Sequence, residues 1–329
     1  MKGKLTMNDE IVVSICCITY NHGKFINQAL DSFLMQKTNF KYEVIIYDDA
    51  STDNTAEIIR QYEEKYPEII KPIYAKENQY SKGKQTFEFT FEKAKGKYIA
   101  LCEGDDYWTD ENKLQIQVDY MEKNEKCTFC FHDAMVLNMK NNEKENWPFY
   151  NKKHYKQDGN YNAGELDILG AIPTASYMFR AEHVEKIPEW FGKCIVGDRP
   201  IQLIMTSFGY AHYIDKTMSI YRVGIGSSAM DEINKQNEEI ETAVKYWQKI
   251  EWMIDEFNCF SEYKYEKELN LSKNEIQLNI LIVKKEYKKI IKEKKYRKLL
   301  GKMQTIKFLL KAYFPTVYQK MKKRLKKKI

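Results

Sequence analysis

The sequence predicts an α/β fold: a doubly wound, mainly parallel sheet with helices on both faces, followed by a helical C-terminal extension. Three observations predict it. Over residues 11–123, short apolar runs rich in β-branched residues alternate with segments whose apolar residues recur at helical spacing. Carboxylates gather where those runs end, which is where parallel sheets of this kind collect ligands. Beyond residue 230 the pattern turns almost wholly helical.

The elements follow in order. "IVVSICCITYN" (11–21) reads as a buried strand, and "GKFINQALDSFLMQK" (23–37) as a helix with Phe25, Ile26, Ala29, Leu30, Phe33 and Leu34 on one face. "YEVIIYDDASTDNT" (42–55) is a second strand ending in acids; capping residues then open a helix, with Asp53 as the expected cap. "IIKPIYA" (69–75) gives a third strand, "KQTFEFTFEKAKG" (84–96) a helix, "KYIALCEGDD" (97–106) a fourth strand and "ENKLQIQVDYMEK" (111–123) another helix. From 127 to 223 the pattern is mixed, with strands expected at "CTFCFHDAMVL", "SYMFRAEHV" and "AHYIDKTMSIYRV" between loops marked by Pro148, Pro173 and Pro188. Long amphipathic helices are expected over 233–257 and 273–300.

The 329 residues suffice for a sizeable core, and 24 Tyr, 16 Phe and 5 Trp are available to fill it. No apolar run is long enough to span a bilayer, and "MKGKLTMNDE" has no apolar stretch behind its lysines. The seven cysteines include a single CxxC, "CTFC", without a second pair to complete a zinc site; this predicts reduced, structural thiols in a cytoplasmic protein. The five histidines show no metal-ligand spacing and read as surface or core residues. The net charge of +6 conceals an asymmetry. Residues 284–329 carry a surplus of 17 positive charges, leaving −11 on the rest.

The acids behind the fourth strand, Glu103, Asp105 and Asp106, raise the central chemical question. Carboxylates crowded at a strand end repel one another, so either they face solvent in a polar turn or a cation sits among them. The turn after the first strand, "TYNHGKF", is neither GxGxxG nor a phosphate-cradling P-loop. What remains is nucleotide recognition by carboxylates, with phosphates held through a hard cation such as Mg²⁺ or Mn²⁺.

"SICCITYNHGKFINQALDSFLMQ", "YEVIIYDDASTDNT" and "GKYIALCEGDDYW", in this order and spacing over residues 11–115, resemble the N-terminal signature of the family 2 glycosyltransferases. A further stretch, 170–228, is similar more weakly. The resemblance implies the GT-A fold and an inverting, metal-dependent transfer from a nucleotide sugar, with UDP as the expected nucleotide and a glycan or polyprenyl-linked acceptor in bacterial surface-polysaccharide synthesis. It places the glycosyltransferase domain at residues 1–230, with a nucleotide half at about 9–125 and an acceptor half at about 126–230. By position it implies that Thr19, Tyr20 and Asn21 line the nucleotide pocket and that Asp49 accepts a hydrogen bond from the base. Glu103 would reach the ribose, and Asp105, with Asp106 bracing or joining it, would hold Mn²⁺ or Mg²⁺ on the diphosphate. Lys84 would meet the phosphates, Asp198 would be the general base, and Arg222, or Ser227 and Ser228, would steady the diphosphate from a closing loop. The chain departs from the family pattern in having Glu at position 103, Gly197 where an acid usually precedes Asp198, and Gly224 near the place of a metal-binding His.

The tail from residue 299 sets Leu299, Met303, Ile306, Leu310, Phe314, Val317, Met321 and Leu325 at helical spacing, with lysines on the other face. This predicts that 231–329 ends in a basic amphipathic helix lying on an anionic membrane, and hence a peripheral protein on the inner face of the cell membrane. Two other classes fit less well. A nucleotidyltransferase usually carries a basic Gly-rich loop after strand one, and a nucleic-acid binder would meet repulsion from the acidic body, so no nucleic-acid partner is expected.

Overall fold

The structure, a computed structural model, describes residues 10–151, 154–225 and 240–318. The chain divides into two compact units, one ending at Glu232 and one starting at Ile233.

In the first unit, β1 (Ile11–Thr19), α1 (Ile26–Leu34), β2 (Lys41–Asp48), α2 (Thr55–Lys65), β3 (Ile70–Tyr74), α3 (Thr86–Phe91) and β4 (Tyr98–Leu101) follow one another as the alternation predicts. The strands lie side by side in the order β3-β2-β1-β4, all parallel. The period-two geometry of a strand sends alternate residues of β1 to opposite faces. Val13, Ile15 and Cys17 join Ile26, Ala29, Leu30 and Phe33 of α1 and Ile58 and Ile59 of α2 in one core. On the opposite face α3 covers the sheet, with Phe89 stacked on Tyr47 at 4.8 Å and Phe91 set edge-on against Phe179 at 5.7 Å. Helices therefore lie on both faces.

Beyond β4 the sheet becomes mixed. β5 (Tyr107–Trp108), α4 (Lys113–Lys123), β6 (Cys127–Asn138), β7 (Glu143–Asn146), β8 (Asn160–Tyr161), α5 (Ala163–Leu169), β9 (Met178–Arg180), α6 (Asp198–Ser207) and β10 (Tyr210–Val223) complete the unit. β9 runs antiparallel between β4 and β6; β10 is parallel to β6 and pairs antiparallel with β5 and β8. Helix α5, not expected from the sequence, is opened by a reciprocal capping box. Asn162 accepts from the Glu165 amide at 2.9 Å, and Glu165 accepts from the Asn162 amide at 3.0 Å. The N-cap position of α2 falls to Asn54 rather than the expected Asp53; Asp53, one residue earlier, accepts from the Thr55 amide at 3.0 Å and from the Gly23 amide at 2.9 Å, so the loops after β1 and β2 share one carboxylate. No disulfide links the seven cysteines, and all but Cys259 are buried.

The second unit comprises α7 (Ile240–Phe260), α8 (Glu266–Val283), α9 (Tyr287–Lys292) and α10 (Lys294–Tyr313), the last interrupted at Gly301, whose φ is +67°. The single helix expected over 273–300 is broken at Lys285, which adopts φ +58°. The break lets Leu278, Ile290 and Tyr296 bury against one another, which a straight helix would hold apart along its length. None of the described helices is long and apolar enough to cross a membrane.

Candidate active site

Three strand ends build the site. After β4 the chain turns sharply at Gly104, whose amide donates to the Ile18 carbonyl at 2.9 Å. A Cβ at this position would lie 2.7 Å from Thr19 Oγ1 and 2.9 Å from Ile26 Cδ1, so only glycine lets the turn close against the end of β1. The turn brings Glu103, Asp105 and Asp106 together, with one carboxylate oxygen of each within 4.8 Å of the others. Glu103 is the most open of the three, and Asp105 and Asp106 are buried.

Burial first, then repulsion from Asp105 and Asp198, pushes the Glu103 carboxyl up to about 8. Burial and its two acidic neighbours likewise push Asp106 well above the carboxylate range, against the pull of Arg222. Three carboxylates so close, two of them buried, are costly without a counter-ion. Their all-oxygen donor set suits a hard divalent cation, so these residues fit the metal that the sequence implied.

Arg222, near the end of β10, holds the turn. Its amide donates to Asp106 Oδ1 at 2.9 Å, one guanidinium nitrogen donates to the Asp105 carbonyl, and another donates to Gln28 on α1. The guanidinium also lies 4.5 Å from the Tyr107 ring centroid and 5.1 Å from that of Phe25. The resemblance implied a diphosphate contact; in the structure two arms of Arg222 are taken by protein oxygens. Ser227 and Ser228 lie outside the described residues.

Asp198 opens α6 and retains some exposure, yet desolvation raises its pKa. Its Oδ1 accepts from the next residue's amide, Arg199 N, at 2.7 Å. The Arg199 guanidinium pairs with buried Asp167 of α5 at 2.7 Å, tying down this end of α6. The charge of Asp198 acts on Glu103, so the structure brings the expected base to the acidic cluster across nearly one hundred residues of sequence.

At the nucleotide side, Thr19 is buried against Gly104, and its Oγ1 has no hydrogen-bond partner among the described residues. Tyr20 is half-buried. Asn21 adopts φ +55°, a conformation Asn tolerates, donates its amide to Ser51 Oγ at 2.9 Å and accepts from the Thr52 amide at 2.7 Å. Asp49 is buried, and its two carboxylate oxygens accept from the amides of Gln79 and Tyr80 at 2.7 and 2.9 Å, which orders the loop after β3. Lys84 is exposed, with its charge acting on Glu88.

Two residues that the sequence reading passed over belong here. His22, read as a bland histidine, is buried with Nε2 3.7 Å from Asp105 Oδ2 and Nδ1 without a hydrogen-bond partner among the described residues. Its place directly after Tyr20 and Asn21 was the available signal. Lys113 is fully buried, 3.8 Å over the Trp108 ring, and its Nζ has no hydrogen-bond partner among the described residues; burial brings its pKa down to about 7. Between pH 7 and 10.5 the unfolded chain keeps a proton here that the native state has released, so stability rises with pH across that window. Lys113→Met is expected to remove this slope and to stabilise the fold by about 1–3 kcal/mol at neutral pH, the cost of a buried unpartnered polar group. Urea unfolding of both proteins across the window checks this.

Comparison with known proteins adds relatives to the geometry. The sequence profile of glycosyl transferase family 2 matches residues 14–183. Over 125 residues the chain is 46% identical to an uncharacterised protein of Mycobacterium tuberculosis, a stretch covering 38% of this chain and 36% of that one. It is 36% identical over 120 residues to the putative teichuronic acid biosynthesis glycosyltransferase TuaG of Bacillus subtilis, covering 36% and 45%. It is 30% identical over 131 residues to WfgD of Escherichia coli, named a UDP-Glc:α-D-GlcNAc-diphosphoundecaprenol β-1,3-glucosyltransferase, covering 40% and 48%. The chain thus spans less than half the length of each of these relatives. Among solved structures, TarS 1-349 of S. aureus with UDP-GlcNAc superposes with a TM-score of 0.62 at 15% identity, covering 91% of this chain and 81% of that one. The mannosyltransferase PcManGT of Pyrobaculum calidifontis, with GDP-Man and Mn²⁺, gives 0.54 at 13% identity, covering 95% and 84%. The fold is accordingly GT-A-like, with a helical C-terminal region.

Proposed function

Because this chain belongs to glycosyl transferase family 2, we propose that it transfers a sugar, with inversion, from a UDP-sugar to a hydroxyl of a glycan or polyprenyl-linked acceptor in bacterial surface-polysaccharide synthesis. The observation that carries this reading is the acidic turn with Asp198 close enough to act on it: a cation site for a diphosphate and a base for an acceptor in one place. The names of TuaG and WfgD point to the same chemistry on polysaccharides and a lipid-linked sugar.

In this reading residues 9–125 supply the nucleotide half and 126–230 the acceptor half. Asp105 and Asp106 hold Mn²⁺ or Mg²⁺, and Glu103 faces the ribose. The ion, when bound, neutralises charge on the departing diphosphate. Each Asp49 oxygen retains a lone pair beyond the amide it accepts, so the carboxylate can still take the base imide N–H. Tyr20 lines the base pocket, and Thr19 and Asn21 shape its floor. Lys84 lies on the phosphate side. Arg222 acts through the turn it clamps. Asp198 removes the proton of the acceptor hydroxyl as that oxygen attacks the anomeric carbon opposite the leaving group; its desolvated carboxylate is a stronger base than an exposed aspartate.

A panel of nucleotide sugars, each tested by thermal shift with and without Mn²⁺, checks the donor. One UDP-sugar is expected to raise the melting temperature in the presence of Mn²⁺ well beyond the others. Indifference to every donor and to the ion would sink the reading.

The second unit is proposed to rest on the anionic inner face of the cell membrane. Met303, Ile306 and Phe314 are 86%, 59% and 53% exposed, beside Lys302, Lys307 and Lys311. The lysines of 319–329, which the tail reading also used, lie outside the described residues. Replacing Met303 and Phe314 together by Glu is expected to cut co-sedimentation with phosphatidylglycerol vesicles about tenfold. Unchanged co-sedimentation would refute the membrane role.

A further inference from the structure

We propose that Trp147, Phe149, Tyr155 and Tyr221 form a stacking platform for a neutral pyranose ring of the acceptor, beside the acidic turn. The proposal rests on the transferase reading for its purpose and on its own geometry for its existence.

The platform is built rather than incidental. The Trp147 amide donates to the Ala134 carbonyl of β6 at 3.1 Å, and the Asn151 amide donates to Leu169 at 2.5 Å. Between these anchors Tyr150 bridges to Gly170. Gly170 has φ +109°, and a Cβ there would fall 2.3 Å from the Phe149 carbonyl oxygen, so glycine is what admits this segment. The Trp147 ring is fixed by its indole N–H, which donates to the Ala171 carbonyl at 2.8 Å. It meets Phe149 edge-to-face at 4.9 Å and Tyr221 at 5.5 Å and 77°. Tyr155 extends the surface through Tyr150, 6.0 Å away.

Several of these rings are left uncovered. Phe149 and Tyr155 are 49% and 37% exposed, while Trp147 and Tyr221 are half-buried. A held but uncovered aromatic cluster marks a binding surface more than a core. Its position follows from Tyr221, the neighbour on β10 of Arg222, whose amide donates to Asp106 Oδ1 at 2.9 Å; the charges of the acidic turn and of Asp198 also act on the Tyr221 hydroxyl. The platform thus borders the acidic turn.

The chemistry selects the occupant. Aromatic faces carry negative charge density and attract the C–H faces of a pyranose ring. Around them lie hydrogen-bonding groups suited to sugar hydroxyls. Asp215 accepts from Tyr155 at 3.0 Å, Asp133 accepts from Thr217 at 3.3 Å, and the Tyr150 hydroxyl is buried without a partner among the described residues. Acidic neighbours repel a diphosphate or an anionic headgroup, so the ring to be placed here is an uncharged sugar.

Saturation-transfer NMR on the full chain tests this, with methyl pyranosides of glucose, galactose and N-acetylglucosamine as probes. At least one probe is expected to receive saturation at ring C–H positions. The signal should fall about tenfold in Trp147→Ala, the loss of one stacking contact, and largely return in Trp147→Phe. If Trp147→Ala does not fold, Phe149→Ala, at an exposed ring, is expected to weaken the signal about threefold and serves in its place. No saturation with any probe, or equal saturation in the variants, overturns the platform. So does Trp147-dependent saturation of farnesyl phosphate alkyl protons in place of the sugars. UDP with Mn²⁺, followed by thermal shift in the same samples, separates the two readings. Failure of UDP to stabilise the unsubstituted chain counts against the donor site alone, and the pyranoside signal then still decides the platform.

Discussion

Asp105→Asn is expected to lower sugar transfer by about 10³-fold, the scale of losing a group that stabilises developing charge, and to abolish stabilisation by Mn²⁺, while leaving the metal-free protein more stable. The last part distinguishes function from structure. The Asp105 carboxylate supports little of the fold: His22 Nε2 lies 3.7 Å away, whereas the clamp from Arg222 falls on the backbone carbonyl, which the substitution keeps. What the carboxylate does in the metal-free protein is repel Glu103 and Asp106. The Glu103 carboxyl is pushed from 4.5 to about 8, so between these values the native state holds a proton that the unfolded chain has released, and stability falls as pH rises through the window. Removing the Asp105 charge makes that decline shallower. Denaturant unfolding from pH 4.5 to 8 with chelator present, beside an assay with Mn²⁺, reads both effects. A structural residue would lose activity and stability together; gain of one against loss of the other is the mark of a strained functional cluster.

How much of this was legible in the sequence depends on the range of the interaction. Strands β1 to β4 announce themselves through local apolar runs, and the carboxyl-end rule then places Thr19, Asp49 and Glu103–Asp106 near one another without any coordinates. Helix α6 carries local signals too, with Pro200 in its first turn and apolar residues behind it. The antiparallel insertion of β9 between β4 and β6 was not legible, because three residues carry no period and their direction is set by partners some fifty to eighty residues away. The same holds for the clamp of Arg222 on Gln28 and the turn, a match between residues far apart in the chain that look ordinary in their own neighbourhoods. His22 shows the limit most plainly. Spacing rules find histidines that ligate together, and this one meets a carboxylate eighty-three positions on.

Asp198→Asn is the second large effect expected: transfer falls about 10³-fold, within the range of a lost general base, with binding of UDP and Mn²⁺ nearly unchanged. The alternative is that Asp198 merely starts its helix. Geometry separates the two. A capping side chain reaches the second or third amide of the helix from the residue before it, whereas Asp198 is itself the first residue of α6 and its Oδ1 accepts from the adjacent Arg199 amide. Asparagine keeps an acceptor at that place, and the Arg199–Asp167 pair that anchors the helix start is untouched. The stability change should therefore stay within about 1 kcal/mol. The sign is toward stabilisation at neutral pH, because desolvation raises the native pKa of Asp198 above its unfolded value, so its charge costs stability once the pH exceeds both. Removing that charge also relieves Glu103, one of whose repelling neighbours is Asp198. In the unsubstituted enzyme the rate should climb with pH as Asp198 loses its proton, and in Asp198→Asn that limb should vanish from the residual activity. A variant that binds UDP poorly, or melts early, would instead make Asp198 a structural residue and leave the attack on the donor without its base.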